Sequence, residues 1–144
     1  MAYDMERFVN MHLASFGSAQ FELMRGAKYS HWMWYMFPQL QGLGQSETSQ
    51  YYGLEGIDHA RAFMEHPMLR EDMLALCDIL LRHEGLTAYG IFGYPDDMKL
   101  RSCMTLFAVA TPEYDVFRRV LDKYFGGDWD PMTLRMLGME EIWI

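Results

Sequence analysis

The sequence predicts a mainly α-helical protein that folds as one compact multi-helix domain over residues 1–144. Apolar side chains recur at helical spacing along most of the 144 residues, and capping residues, glycines and prolines separate these segments. The chain contains neither an Asn-Gly or Asp-Gly hairpin turn nor a sustained alternation of polar and apolar residues. A chain of this length fits a single domain with a substantial core. One short strand pair, with a strand near Tyr52–Leu54, stays open as an addition to the helices.

The first third of the chain is predicted to hold two helices and a loop. Asp4 is suited to cap the first helix, and Gly17 is expected to end it. Ser18 is then suited to cap a short second helix that stops at Gly26. The segment Gln41–Gln50 is rich in glycine, serine and threonine, so we expect an exposed loop there.

The later helices are marked by apolar periodicity and by proline or glycine at their ends. A short helix is expected over 58–66, and the clearest periodicity predicts a helix that starts near Leu69 and ends near Gly85. Three further helices are predicted where a proline or a capping residue precedes an apolar run, namely at Pro95, at Thr111–Pro112 and at Asp130–Pro131.

Composition and charge exclude several classes of protein. The formal net charge is −8 and no block of basic residues occurs, so duplex nucleic acid is not an expected partner. The apolar runs fall short of the roughly 18–20 residues that span a membrane, and Met1–Asn10 lacks the apolar stretch of a secretory signal. Cys77 and Cys103 each lie in a helical apolar pattern, which favours buried free thiols and a cytoplasmic location.

The segment Ser30–Leu40 has a composition that burial alone does not require, because two tryptophans, a tyrosine and a histidine lie close together. Trp32 and Trp34 can form a stacking wall for a planar ring, while His31 can accept, donate or relay a proton near neutral pH. The alternative is a core cluster in which the indole N–H and imidazole groups form internal hydrogen bonds.

Two adjacent carboxylates, Asp96 and Asp97, stand in the first turn of the helix predicted after Pro95. Paired carboxylates can serve as general acid and base, and they can also bind a hard cation. The alternative is structural, because acids are favoured in a first helical turn. Asp97 also precedes Arg101 by four residues, which is the spacing of an ordinary ion pair within a helix.

The spacing of histidine and cysteine does not predict a metal site, since no His-Glu-x-x-His or Cys-x-x-Cys motif occurs. We expect no cofactor either, since Gly42-Leu-Gly44 is too short and lacks the strand–turn–helix context of a phosphate loop. Cys103 and His31 would form a nucleophile–base pair only if the fold brought them together.

Four motifs in order resemble a bacterial family known as domain of unknown function 1810. They are Ser30–Leu40, Gly42-Leu-Gly, Ala62-Phe-Met-Glu-His-Pro-Met-Leu and Ile91–Phe107. The resemblance runs from about Asp4 to Leu137, which leaves 138–144 as a tail outside it. It implies a single, mainly helical domain and no established activity. Members are sometimes labelled calpastatin-like, a label that implies a polar, disordered inhibitor and does not match this aromatic-rich, helix-capped sequence.

Two functional hypotheses follow. In the first, a cytoplasmic domain binds, or acts on, a small planar anionic ligand that resembles a nucleotide. Trp32 and Trp34 would stack on its ring, and His31 or Asp96 would transfer a proton. The further binding candidates are Lys28, Gln39, Asp97, Lys99 and Arg101. In the second hypothesis, an aromatic and methionine-rich face docks a protein partner.

Overall fold

Helices make up almost all of the regular structure in the computed structural model, which describes residues 3–139. Within this range the helices are α1 (Glu6–Arg25), α2 (Met33–Met36), α3 (Glu47–Tyr51), α4 (Ile57–Glu65), α5 (Pro67–Arg82), α6 (Ala88–Phe92), α7 (Asp96–Ala110), α8 (Val116–Phe125) and α9 (Pro131–Met136). The sequence allowed for one short strand pair near Tyr52–Leu54. Within the described residues, only an isolated parallel bridge between Leu40 and Leu54 forms there. The prediction of a mainly helical domain is therefore confirmed.

The helices enclose one core, through which a row of phenylalanine rings passes. Phe8 on α1, Phe63 on α4, Phe107 on α7 and Phe117 on α8 lie at successive ring-centroid distances of 5.4, 5.5 and 5.4 Å. All four rings are fully buried, and their tilted or edge-on arrangement is favoured by the aromatic quadrupole. The row ties α1, α4, α7 and α8 into a single packed unit.

Helix α1 is continuous from Glu6 to Arg25, so the predicted break at Gly17 is wrong. The buried stripe of α1 carries on past the glycine through Ala19 and Leu23, and packing of that stripe against α5 outweighs the cost of about 1 kcal/mol for a mid-helix glycine. The predicted stop at Gly26 is confirmed, because this residue adopts the left-handed conformation with φ of 81° and caps the helix.

One helix start and two short helices also differ from the prediction. The hydroxyl of Thr111 donates to the carbonyl of Phe107 and closes α7, so the start predicted at Thr111–Pro112 is wrong. The predicted loop Gln41–Gln50 contains the start of α3, where the Ser46 hydroxyl accepts from the N–H of Ser49. Helix α6 has only five residues, which is too short to show a periodic pattern, so the sequence does not predict it. The cap at Asp130 is confirmed by its hydrogen bond from Thr133.

The two cysteines are buried and free, as predicted. Burial raises the pKa of both thiols. Cys103 is enclosed on α7 whereas His31 is exposed, so the suggested pair of Cys103 and His31 is wrong.

Among residues 3–139, no helix combines the length and the hydropathy that crossing a bilayer requires. Of the predicted tail, residues 138 and 139 are described, and the remainder lies outside the described residues.

Leu76→Ala is expected to lower the free energy of unfolding by about 2–5 kcal/mol, because Leu76 is fully buried and its truncation leaves a cavity. Urea unfolding followed by circular dichroism measures the loss. The matched control is Leu81→Ala on the same helix, which should cost about 1–2 kcal/mol because Leu81 is only half-buried. A loss below about 1 kcal/mol for Leu76→Ala would contradict the assignment of the buried face of α5.

Candidate functional site

A buried carboxylate on α1 organises the chain that leads into the aromatic segment. Glu22 is only 5% exposed, and its oxygens accept hydrogen bonds from the backbone N–H groups of Tyr29 (2.7 Å) and Ser30 (2.9 Å). The Ser30 hydroxyl and the Trp32 indole N–H also donate to it, at 2.6 and 3.0 Å. Four donors therefore converge on one carboxylate and fold residues 29–32 back against α1.

These hydrogen bonds set the charge state of Glu22. Burial by itself would raise the pKa of Glu22, but the hydrogen bonds from Ser30, Tyr29 and Trp32 outweigh it and lower the pKa from 4.5 to about 2. Glu22 is thus ionised at neutral pH, and its negative charge is stabilised by the donors that shape the turn.

Trp32 belongs to the core. The side chain is 1% exposed and packs against Phe37 and Phe92, at ring-centroid distances of 6.2 and 6.4 Å. The predicted wall of two stacking tryptophans is therefore wrong, because the bond to Glu22 draws the Trp32 indole inward. For Trp32, the alternative of an internally hydrogen-bonded core residue is correct.

Trp34 lies at the surface of the same segment and is half-buried. The Lys99 ammonium lies 3.9 Å from the centroid of the Trp34 ring, close enough for a cation–π contact. Gly44 lies near the edge of the indole, since a Cβ placed on it would lie 4.0 Å from the Cη2 atom of Trp34. The segment thus presents one tryptophan rather than two.

The first turn of α7 meets the aromatic segment through two lysines that share one carboxylate. Lys28 Nζ lies 2.7 Å from Asp96 Oδ2, and Lys99 Nζ lies 3.2 Å from Asp96 Oδ1. Lys28 also donates to the carbonyl of Ser30 at 2.7 Å. Lys28, Asp96, Lys99 and Trp34 form a group that we term the lysine–tryptophan cluster.

The cluster holds Asp96 in its charged form. Burial by itself would raise the pKa of Asp96, but the hydrogen bonds and positive charges of Lys28 and Lys99 outweigh it and hold the pKa below its usual range. An ionised carboxylate cannot donate a proton at neutral pH. The cluster contains two cationic groups and one anionic group, which leaves one positive charge in excess.

Two other predicted site residues stand outside the cluster's contacts. His31 is exposed, and its backbone carbonyl accepts a hydrogen bond from the Tyr35 hydroxyl at 3.1 Å. Gln39 is half-buried beside the short bridge, where its backbone carbonyl accepts from the N–H of Leu54. The structure thus brings Lys28, Trp34, Asp96 and Lys99 together but links neither His31 nor Gln39 to them by a described contact.

Asp97 and Arg101 do not form the ion pair that their spacing predicts. The Asp97 carboxylate accepts from the N–H of Met98, whereas the Arg101 guanidinium lies 3.5 Å from Asp130 Oδ1. The other oxygen of Asp130 accepts from Ser102 at 2.9 Å, so Arg101 helps to anchor α9 against α7. Arg101 thus has a structural contact, and Asp97 lies in the first turn of α7 as predicted.

Sequence reasoning missed Glu22, although a signal for it exists. Glu22 stands on the same helical stripe as Ala19 and Leu23, where an apolar residue is expected. A carboxylate at a buried position requires hydrogen-bond donors around it, so its presence on this stripe indicates a group of polar side chains or backbone N–H groups in the core. Among residues 3–139, no group of three or more histidine, cysteine, aspartate and glutamate side chains is arranged to hold a metal ion.

Glu22→Gln is expected to lower the free energy of unfolding by about 1–3 kcal/mol at pH 7, since hydrogen bonds to a charged acceptor are the stronger kind. Because the folded pKa is below the unfolded one, these bonds stabilise the wild type fully above about pH 4.5, and the contribution disappears as the pH falls toward 2.

Urea unfolding at a series of pH values measures both effects of Glu22→Gln. The variant should lose less stability than the wild type over that acid range. The exposed Glu71→Gln serves as control and should stay within about 0.5 kcal/mol of the wild type at pH 7. Equal acid sensitivity in wild type and Glu22→Gln would show that Glu22 does not organise the turn.

Comparison with known proteins places the chain in a family. The family model described as "Protein of unknown function (DUF1810)" matches residues 2–137. The crystal structure of the conserved hypothetical protein Rv1873 from Mycobacterium tuberculosis superposes with a TM-score of 0.92 and 39% sequence identity, over 94% of this chain and 97% of that one. Among curated proteins, no relative matches. The chain therefore belongs to the DUF1810 family, as its four motifs predict.

Proposed function

We propose that this protein binds a small planar anion, of the nucleotide type, at the lysine–tryptophan cluster. The observation that carries the proposal is the excess positive charge of Lys28 and Lys99 over Asp96, placed beside the half-buried ring of Trp34. The chain as a whole carries a net charge of −8, so an anion would be attracted to this local pair of lysines rather than to the surface in general.

Lys99 is the group that a ligand would reach first. Its side chain is 20% exposed, whereas that of Lys28 is 6% exposed and already meets both Asp96 and the Ser30 carbonyl. A phosphate or carboxylate beside Lys99 would form a charge-assisted hydrogen bond worth about 1.5–3 kcal/mol. Lys28 would contribute through its charge, because Asp96 and the Ser30 carbonyl hold its ammonium group in place.

Trp34 provides the surface for the planar part of the ligand. Lys99 lies over the ring, and Gly44 lies near the edge of the indole. A nucleobase on its exposed part would gain about 1–3 kcal/mol from stacking. If the anionic group of the ligand binds Lys99, a nucleobase attached to it would lie close to the indole of Trp34. The site should therefore bind planar anions more tightly than compact ones.

The proposal is one of binding rather than of a defined reaction. Asp96 is ionised and paired with two lysines, which argues against its candidate role as a proton donor. The proton-transfer role of His31 stays a prediction, since within residues 3–139 no described contact links its ring to the cluster. We also propose a cytoplasmic location, which the two buried free thiols support.

Lys99→Gln is expected to weaken binding of adenosine 5′-monophosphate by about tenfold or more, because it removes the accessible ammonium group. Isothermal titration calorimetry measures the affinity for this probe and for inorganic phosphate. Trp34→Leu should reduce the affinity for the nucleotide to that for phosphate, since it removes the stacking surface. The matched control is Arg118→Gln, which removes one exposed cation on α8 and should change neither affinity by more than about twofold.

Two results would overturn the proposed function. The first is the absence of a heat signal with the wild type at about 10 mM of either probe, which is weaker than the affinity range of small specific ligands. The second is an equal loss of affinity in Lys99→Gln and Arg118→Gln, which would indicate nonspecific attraction to positive charge.

Asp96→Asn is expected to tighten the binding of inorganic phosphate by about three- to tenfold, because phosphate would replace the carboxylate that both lysines now share. The matched control is the neighbouring Asp97→Asn, which removes a carboxylate that contacts only the start of its own helix. Calorimetry measures the change, and circular dichroism verifies the fold. Weaker binding by a folded Asp96→Asn variant would contradict the assignment of the lysines as the anion site.

A further inference from the structure

The outward-facing side of α1 is apolar or neutral over most of the helix. We term it the α1 outer face, and its exposed residues are Asn10, Leu13, Ala14, Gly17, Ser18, Phe21 and Met24. Leu13, Phe21 and Met24 are 73%, 58% and 62% exposed, which is unusual for large apolar side chains. No charged residue belongs to this face between the two ends of the helix, and the guanidinium of Arg25 at one end lies 5.7 Å from the centroid of the Phe21 ring. A contiguous apolar surface of this kind is typical of an interaction site.

Gly17 lies at the centre of the face, and the fold of a single chain does not require it. A Cβ placed on Gly17 would meet no atom within 4 Å, and the residue has ordinary helical geometry rather than a positive φ. Glycine nevertheless weakens a helix relative to alanine. The fold of one chain thus gives no internal reason for this cost, and a glycine on a helix face allows a second backbone to approach closely.

We propose that the α1 outer face joins two copies of this chain, with their α1 helices antiparallel about a twofold axis beside Gly17. The larger side chains of the face pair off about this residue, since Leu13 and Phe21 lie four positions to either side, and Asn10 and Met24 lie seven to either side. In an antiparallel pair, Leu13 of one copy therefore faces Phe21 of the other, twice. A self-complementary patch of this kind is what a twofold interface requires.

The charges at the ends of α1 complement each other in the same arrangement. Glu6 stands in the first turn and Arg25 in the last, and both are exposed. Antiparallel pairing about Gly17 brings Arg25 of one copy within about one helical turn of Glu6 of the other, at both ends. Two ion pairs would then flank a neutral centre, whereas contact through most other faces of a chain of net charge −8 would be repulsive.

A groove of about 390 Å³ between α1 and α5 extends this surface on one side. Gln20 and Met24 of α1 and Ala75 and Ile79 of α5 line it. In the antiparallel pair, Leu13 of the second copy comes opposite the segment between Gln20 and Met24, at the mouth of the groove. Asp78 and Arg82 also line the groove, and they pair with each other at 2.8 Å, so their charges balance.

The size of the contact predicts a weak dimer. The seam from Asn10 to Met24 is roughly 22 Å long at 1.5 Å per residue. Two helices of this length bury less than the about 1,200 Å² of a standard stable interface. We therefore expect a dissociation constant of about 10–100 µM, which corresponds to a reversible monomer–dimer equilibrium.

Sedimentation velocity of the full chain over a range of concentrations tests the proposal. The wild type should shift from monomer to dimer, and Phe21→Glu should weaken the dimer by at least about tenfold because it places two carboxylates in the apolar seam. The matched control is Tyr89→Glu, which changes an aromatic residue that is 66% exposed on α6 and should leave the equilibrium unchanged. Circular dichroism verifies that both variants fold.

A charge reversal tests the antiparallel arrangement. Glu6→Arg and Arg25→Glu should each weaken the dimer by about three- to tenfold, because each places like charges together at both ends of the seam. The double variant should recover the wild-type equilibrium, since it restores both pairs with the signs exchanged. A wild type that stays monomeric at about 1 mM, or a double variant no better than the single ones, would overturn the proposal. Neither result would bear on anion binding by the lysine–tryptophan cluster.

Discussion

The carboxylate of Glu22 is the constraint on which the arrangement of the candidate site depends. Helix α1 ends at Gly26, and the chain must then reverse and enter the core within a few residues. Four donors from residues 29–32 meet the two oxygens of Glu22, so the reversal is specified by one side chain. Because the Trp32 indole is one of these donors, the same carboxylate decides which tryptophan enters the core and which stays at the surface.

Burying the charged carboxylate of Glu22 costs desolvation free energy, and there is a physical reason why a carboxylate nevertheless holds this turn. The turn offers backbone N–H, hydroxyl and indole groups, all of which donate, and a carboxylate is the one side chain that accepts from all of them without bringing a donor of its own. An amide would present an NH₂ group to at least one of these donors. The lowered pKa of Glu22 shows that the hydrogen bonds outweigh the cost of burial.

Local signals in the sequence predicted much of the fold, and nonlocal contacts explain what they missed. The buried face of α5 and the cap at Asp130 follow from residue spacing within a few turns. The break expected at Gly17 failed because packing of α1 on a distant helix outweighed local propensity. Trp32 was misplaced because its partner stands ten residues away on a helix face that periodicity marks as apolar. The meeting of Asp96 and Lys28 likewise depends on two segments that only the tertiary fold brings together.

Because both thiols are buried, their reactivity can be used to measure how often the core of this protein opens. Cys77 on α5 and Cys103 on α7 have no exposed surface, and their raised pKa values keep them protonated and unreactive in the native state. A thiol reagent can therefore modify them only when the core opens. The rate of labelling then follows the population of the open state, so alkylation kinetics would measure the conformational stability of the core in dilute buffer, without denaturant.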